Sequence, residues 1–191
     1  MRIWSMGWET FIKCISFDRK WLDEADELAA YSIKHFHDKE SGMFFFNSNK
    51  DAKLIARKME LTDNVIPSSN SSIAKGLFYL GHYLDKKEYL EISEQMLNNV
   101  ASSTEQGGGW YSNWLELMLH HTNSFYEVAV IGKDAEAKRS EIEQAYYPNK
   151  ILIGGKKENG LPLLEYKSVE GETWIYVCVD KACQMPTDQV S

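Results

Sequence analysis

Through the first two thirds of the chain, apolar residues recur on a 3.6-residue period. Trp21, Ala25, Leu28, Ala29, Ile33 and Phe36 form one such face, which predicts an amphipathic helix. Asp18 stands just ahead as its N-cap. Asp23 and Glu24 put negative charge toward the positive end of the helix dipole. A second face runs Ile73, Leu77, Leu80, Gly81 and Leu84. A third runs Tyr89, Ile92, Met96 and Val100, and a shorter fourth runs Trp110, Trp114, Leu117 and Met118. Trp8 to Ile15 is also helix-like.

These helices repeat. Phe17-Asp18-Arg19-Lys20 matches Leu84-Asp85-Lys86-Lys87, and Trp21-Leu22-Asp23 matches Tyr89-Leu90-Glu91. The period is roughly 68 residues, each unit being helix, short turn, helix, and such pairs must stack to bury both faces. Between them lie the expected loops 38–72 and 102–109. Gly42–Phe46 and Lys53–Ala56 read as short strands within the first. After Thr122 the pattern changes. Phe125–Gly132, Lys150–Gly155 and Thr173–Val179 are strand-like, and Asp134–Tyr146 is helical. Strand, helix, strand predicts a parallel pair joined by a crossover. Gly160-Leu161-Pro162-Leu163-Leu164 reads as a turn entering an exposed loop.

Composition narrows the function classes. The 191 residues carry a formal charge of −7, which argues against nucleic-acid and acidic-membrane partners. No apolar run reaches the length of a transmembrane helix, and the start lacks the apolar core of a signal peptide. Three cysteines are too few for a disulfide framework, and a reducing cytoplasm is the expected location.

Several segments then converge on a family. Asp63-Asn64-Val65-Ile66-Pro67-Ser68-Ser69-Asn70-Ser71 is followed by Tyr126–Gly132, Pro148–Leu152, Leu161–Leu164, Tyr176-Val177-Cys178 and Cys183-Gln184-Met185-Pro186-Thr187. In this order they resemble the C-terminal third of thioredoxin domain-containing proteins related to the spermatogenesis-associated thioredoxin-like protein. The family's Pro-Ser-Gly-Asn-Ser run carries Ser69 in place of glycine here. The resemblance implies a mainly α fold: a partial (α/α) toroid of helical hairpins, similar to six-hairpin glycosidases, over 1–122, followed by a small α/β segment over 123–191. It covers only part of the family's length. It therefore implies a fragment, a split-gene product or a reduced paralogue that is carbohydrate-active when complete. The alternative is a non-catalytic interaction or scaffold module that docks a partner supplying the missing hairpins, or a second copy. Either way Trp4, Trp8 and Phe11 are expected at the surface.

In such a toroid, loops entering inner helices line the pocket. That makes Asp63, Asn64, Ser69, Asn70 and Ser71 candidate sugar contacts, with helix capping as the competing role of Asn70 and Ser71. Trp110, behind Gly107-Gly108-Gly109, is a candidate stacking residue or a core aromatic. Glu60 and Asp63 are two nearby carboxylates, but glycoside chemistry needs a pair about 5–10 Å apart across the substrate, so no catalytic residue is assigned. Cys178 and Cys183, with four residues between them, are either inert thiols or a redox pair. Cys14 is expected in the core. His35 and His37, and His120 and His121, lack the spacing that puts two ligands on one helix face, and no metal or cofactor is expected. Ile131-Gly132-Lys133 lacks a phosphate-binding glycine pattern.

Overall fold

The first described helix, α1 (Arg19–Phe36), begins where Asp18 Oδ1 accepts the Lys20 N–H at 3.0 Å. Its first turn holds no acidic residue, so Asp23 and Glu24 lie one turn too far on to act as dipole partners. Leu22, Ala25, Ala29, Ser32 and His35 form its buried stripe. The computed structural model describes residues 18–52 and 56–190. The helix expected at Trp8–Ile15, the surface positions Trp4, Trp8 and Phe11, Cys14 and most of the Lys53–Ala56 strand lie outside them. The other expected short strand reduces to a single bridge between His37 and Phe44.

Helix α2 (Ser69–Leu84) is capped by Ser68, whose Oγ accepts the Ser71 N–H at 3.1 Å. It ends at Asp85, which takes a left-handed conformation. Helix α3 (Lys87–Gly107) runs back against it. At Gly81 an added Cβ would lie 2.6 Å from Leu90 Cγ, so glycine is what lets the two axes approach. The loop expected over 102–109 is helical as far as Gly107. No helix breaker precedes that glycine, and Thr104 continues the buried stripe of Met96, Leu97 and Val100. A 3-10 turn at Gly108–Trp110 then leads into α4 (Ser112–Thr122).

The second half forms a sheet. Strands β1 (Tyr126–Gly132), β2 (Lys150–Gly155), β3 (Thr173–Val179) and β4 (Ala182–Cys183) lie in the order β2–β1–β3–β4. β1 and β2 are parallel, joined through α5 (Ala135–Ile142), and β3 pairs antiparallel with β1. Side chains alternate between two cores. Ala129, Ile131, Ile151 and Ile153 face the helices α1–α4 and share their core, whereas Val128, Val130, Leu152 and Ile175 face α5. The leucines 161, 163 and 164 are buried in the helical core rather than leading directly into exposed loop.

This overturns the expected mainly α partial toroid. Among the described residues there are five α-helices, 47% of the structure is helical, and a four-stranded mixed sheet accompanies them, which is an α/β class. The physical reason lies in α2. An inner toroid helix keeps one face toward a central cavity, but here every residue from Ser69 to Gly81, and Tyr83, is buried. Helices α1, α3 and α4, strand β2 and the Pro162–Leu164 turn all pack on it. One core therefore crosses the boundary expected at 122/123.

Gly132 ends β1 at φ +135°, and an added Cβ would lie 2.2 Å from the Glu172 carbonyl oxygen. Replacement by alanine, Gly132→Ala, is expected to cost about 2–4 kcal/mol through clash and left-handed strain. Urea melts of the two proteins should show this as a lower midpoint with an unchanged slope.

Candidate functional site

The Asp63–Ser71 segment folds into a junction rather than an open pocket wall. Asp63 is buried, 3% exposed. Its Oδ1 accepts the Ser68 N–H at 2.9 Å and the Ser71 hydroxyl at 2.6 Å, and its Oδ2 accepts the Asn113 N–H at 2.9 Å. One carboxylate thus serves the N-terminal ends of both α2 and α4, where unpaired N–H groups and the positive ends of two helix dipoles meet. Glu60 Oε2 accepts the Ser69 N–H at 3.2 Å. The two carboxylates considered for acid–base work are therefore both engaged by backbone donors of the same helix start.

Asn70 is fully buried and fully used. Its Oδ1 accepts the Phe44 N–H at 2.8 Å, and its Nδ2 donates to the Phe44 and Glu60 carbonyls, each at 2.9 Å. Ser71 is buried in the Asp63 cluster. Ser69 is buried too, and its Oγ has no hydrogen-bond partner among the described residues. Asn64 and Trp110 differ: Asn64 is exposed and Trp110 is 57% exposed. The Asp63 N–H donates to the Trp110 carbonyl at 2.7 Å, which brings the 63–66 loop beside the Gly108–Trp110 turn. Of the six candidate ligand contacts, the structure thus groups four in a buried network and leaves two at the surface above it.

The network continues along the α2–α4 seam through residues that the sequence reading did not single out. Lys75, its side chain 2% exposed, donates to Asn113 Oδ1 at 3.1 Å and to Glu116 Oε2 at 2.7 Å. Glu116 is 40% exposed and lies 3.8 Å from His120 Nε2. That nitrogen is 3.0 Å from the Tyr79 hydroxyl. The available signal was a lysine inside the apolar run Ile73–Leu80, one turn from both Ser71 and Tyr79, facing Asn113, Glu116 and His120 at matching helical spacing. At the far end His82 Nδ1 meets Oε1 of buried Glu127 at 3.1 Å. His120 sits in the last turn of α4 but is buried against Phe78 and Phe125.

Cys178 and Cys183 form a disulfide. They are directly opposed on β3 and β4, across a two-residue turn in which Asp180 and Lys181 are both left-handed. No group of three or more His, Cys, Asp or Glu residues is placed to hold a metal among the described residues, and no helix among them is long and apolar enough to cross a membrane. No family model and no curated protein matches the sequence.

Two substitutions at the junction should move stability in opposite directions. Asp63→Ala leaves three donors at two helix starts without their acceptor and is expected to cost about 2–4 kcal/mol. Ser69→Ala removes a buried, unpaired hydroxyl and is expected to stabilise by about 0.5–1.5 kcal/mol. Differential scanning calorimetry of both variants beside the parent protein reads the two signs directly.

Burial holds His37 and His121 below the usual imidazole pKa of 6.5. The Nε2 of each is buried without a hydrogen-bond partner among the described residues. The unfolded chain then binds more protons than the folded one as pH falls below 6.5, so stability rises with pH in that window. This contribution is complete above 6.5 and is lost as pH falls toward the folded values. Melting temperature followed from pH 8 to 5 should be flat at first and then drop. The drop should shrink in the His37→Gln/His121→Gln double variant.

Proposed function

We propose that this chain is the carbohydrate-binding C-terminal unit of a thioredoxin domain-containing protein, meeting its ligand at Trp110 and Asn64. The observation that carries this reading is the exposed indole of Trp110 at the paired helix starts. Exposed Asn64 is on the loop whose Asp63 N–H bonds the Trp110 carbonyl. An aromatic face in water near a free-standing amide suits a sugar ring: the indole covers the apolar C–H face while the amide bonds hydroxyls. The ordered segments that resemble that family support the same ligand class. Asp63, Asn70 and Ser71 take the role of holding this surface. Binding without catalysis is the better-supported form, because Glu60 and Asp63 are committed to backbone N–H groups. The low cysteine count supports a cytoplasmic location, where the Cys178–Cys183 disulfide is a bond that cycles rather than a permanent staple.

One observation favours a second reading. Val65 is 96% exposed and Ile66 52%, in the loop that carries Asn64, and clustered exposed apolar side chains mark protein interfaces. On that reading the chain is a non-catalytic interaction module.

Titration calorimetry against a panel of mono- and oligosaccharides separates the two. A carbohydrate surface gives saturable binding that Trp110→Ala weakens at least ten-fold and Asn64→Ala weakens less, with melting temperature unchanged. Absence of binding to every sugar, or binding indifferent to both substitutions, would overturn it. Concentration-dependent self-association abolished by Val65→Ser/Ile66→Ser would then support the interaction module.

A further inference from the structure

The Cys178–Cys183 pair lies away from the proposed ligand surface and does not depend on it. Its two sulfurs differ in access: Cys178 is 2% exposed, and Cys183 lies on an exposed two-residue edge strand. The Val177 carbonyl accepts the Gln184 N–H at 2.9 Å, one residue beyond the pair. The half-cystines therefore occupy a position between ladder hydrogen bonds, where opposed side chains come closest. Beyond them the chain continues as a strap along β3. Its remaining backbone ladder contact is the reciprocal pair between Ile175 and Thr187, at 2.8 and 3.0 Å. Met185 is 93% exposed, and the terminal anchor is Val190, packed against the core on the α5 side. Thr187, Gln189 and Val190 form one wall of a groove of about 530 Å³ whose floor includes Val128, Ile175 and Val177. The turn inside the disulfide is also tied to the helical layer. The Lys181 N–H donates to Glu127 Oε2 at 3.2 Å, and its ammonium pairs with Asp85.

We propose that Cys178–Cys183 is a reversible thiol–disulfide exchange site, reduced by a dithiol, whose state decides whether the strap over residues 184–190 is fastened to the sheet. A thiolate of the dithiol attacks Cys183 Sγ, the accessible sulfur. The Cys178–Cys183 bond breaks, and Cys178 leaves as a thiolate and takes up a proton. The second thiol of the reductant then attacks the mixed disulfide and releases Cys183. The pair gains two electrons and two protons, and the dithiol becomes a cyclic disulfide. In a reducing compartment a disulfide that forms is one that cycles. With the link open, the strap keeps few buried contacts and falls to the low end of local stability. The groove then loses a wall while the helical core is untouched.

The experiment uses the full chain with dithiothreitol as the dithiol. Alkylation under denaturing conditions should modify one cysteine, Cys14, in the air-oxidised protein and all three after reduction. Hydrogen exchange should show amides of 184–190 exchanging at least ten-fold faster after reduction, with α2 amides unchanged. The Cys178→Ser/Cys183→Ser double variant should show the fast pattern with or without reductant. Cys178→Ser, which leaves Cys183, should form a mixed disulfide with oxidised glutathione at least ten-fold faster than Cys183→Ser. Three alkylations without reductant would overturn the proposal. So would equal exchange of the strap in both states, or loss of α2 protection on reduction, which would make the bond a global staple. Equal reactivity of the two single variants would overturn the order of attack.

Discussion

A single buried carboxylate holds this structure in register. Asp63 accepts from Ser68, Ser71 and Asn113, so the starts of α2 and α4 are fixed to one anion. Each helix start offers unpaired N–H groups and partial positive charge, and two such ends side by side repel unless a negative group lies between them. That shared acceptor sets α2 and α4 running in the same direction. Such an arrangement needs a connecting helix to run back, and α3 fills that place. Lys75, bonded to Asn113 and Glu116 one turn deeper, repeats the tie with the opposite charge.

The consequence for function is a division of labour within one short segment. Residues whose polar atoms are spent on the fold cannot also offer them to a ligand without paying desolvation and lost bonds. Asn70 uses its carbonyl and both described amide contacts to hold the Phe44 and Glu60 backbones. Asn64, six residues earlier, uses its Oδ1 among the described residues on its neighbouring Val65 N–H and stands in solvent. The buried members position the surface, and the exposed ones meet what arrives there.

Local periodicity made the elements legible. The apolar spacing located α1 to α4, and the β-branched runs located β1, β2 and β3, the last two with the bounds the structure has. Asp18 capped the helix it was expected to cap. The parallel β1–β2 pairing was legible as well; what stayed illegible was how the sheet packs on the helices. Nothing in Ala129, Ile131, Ile151 or Ile153 says which layer they face, and that choice turns an expected helical arc with an appendage into a shared α/β core. Asp63 looked like a ligand contact because its partner Asn113 is 50 residues away and the bond runs to a backbone N–H, which leaves no trace in side-chain chemistry. Lys75 escaped notice because a lone lysine in an apolar helix normally snorkels outward. Here the seam supplies an anion instead.

The sheet's asymmetry has one further consequence. At one margin β4 is two residues long and closed by a cross-strand bond. At the other, β2 pairs only with β1 among the described residues, but its Leu152 carbonyl accepts the Tyr83 hydroxyl at 3.4 Å and residues 151–154 are buried, so α2 covers that margin. Neither margin therefore offers a long run of bare backbone to a foreign strand. The double glycine at 154–155 and the Lys156-Lys157 pair directly after it end β2 in the kind of flexible, charged segment that discourages edge-to-edge stacking.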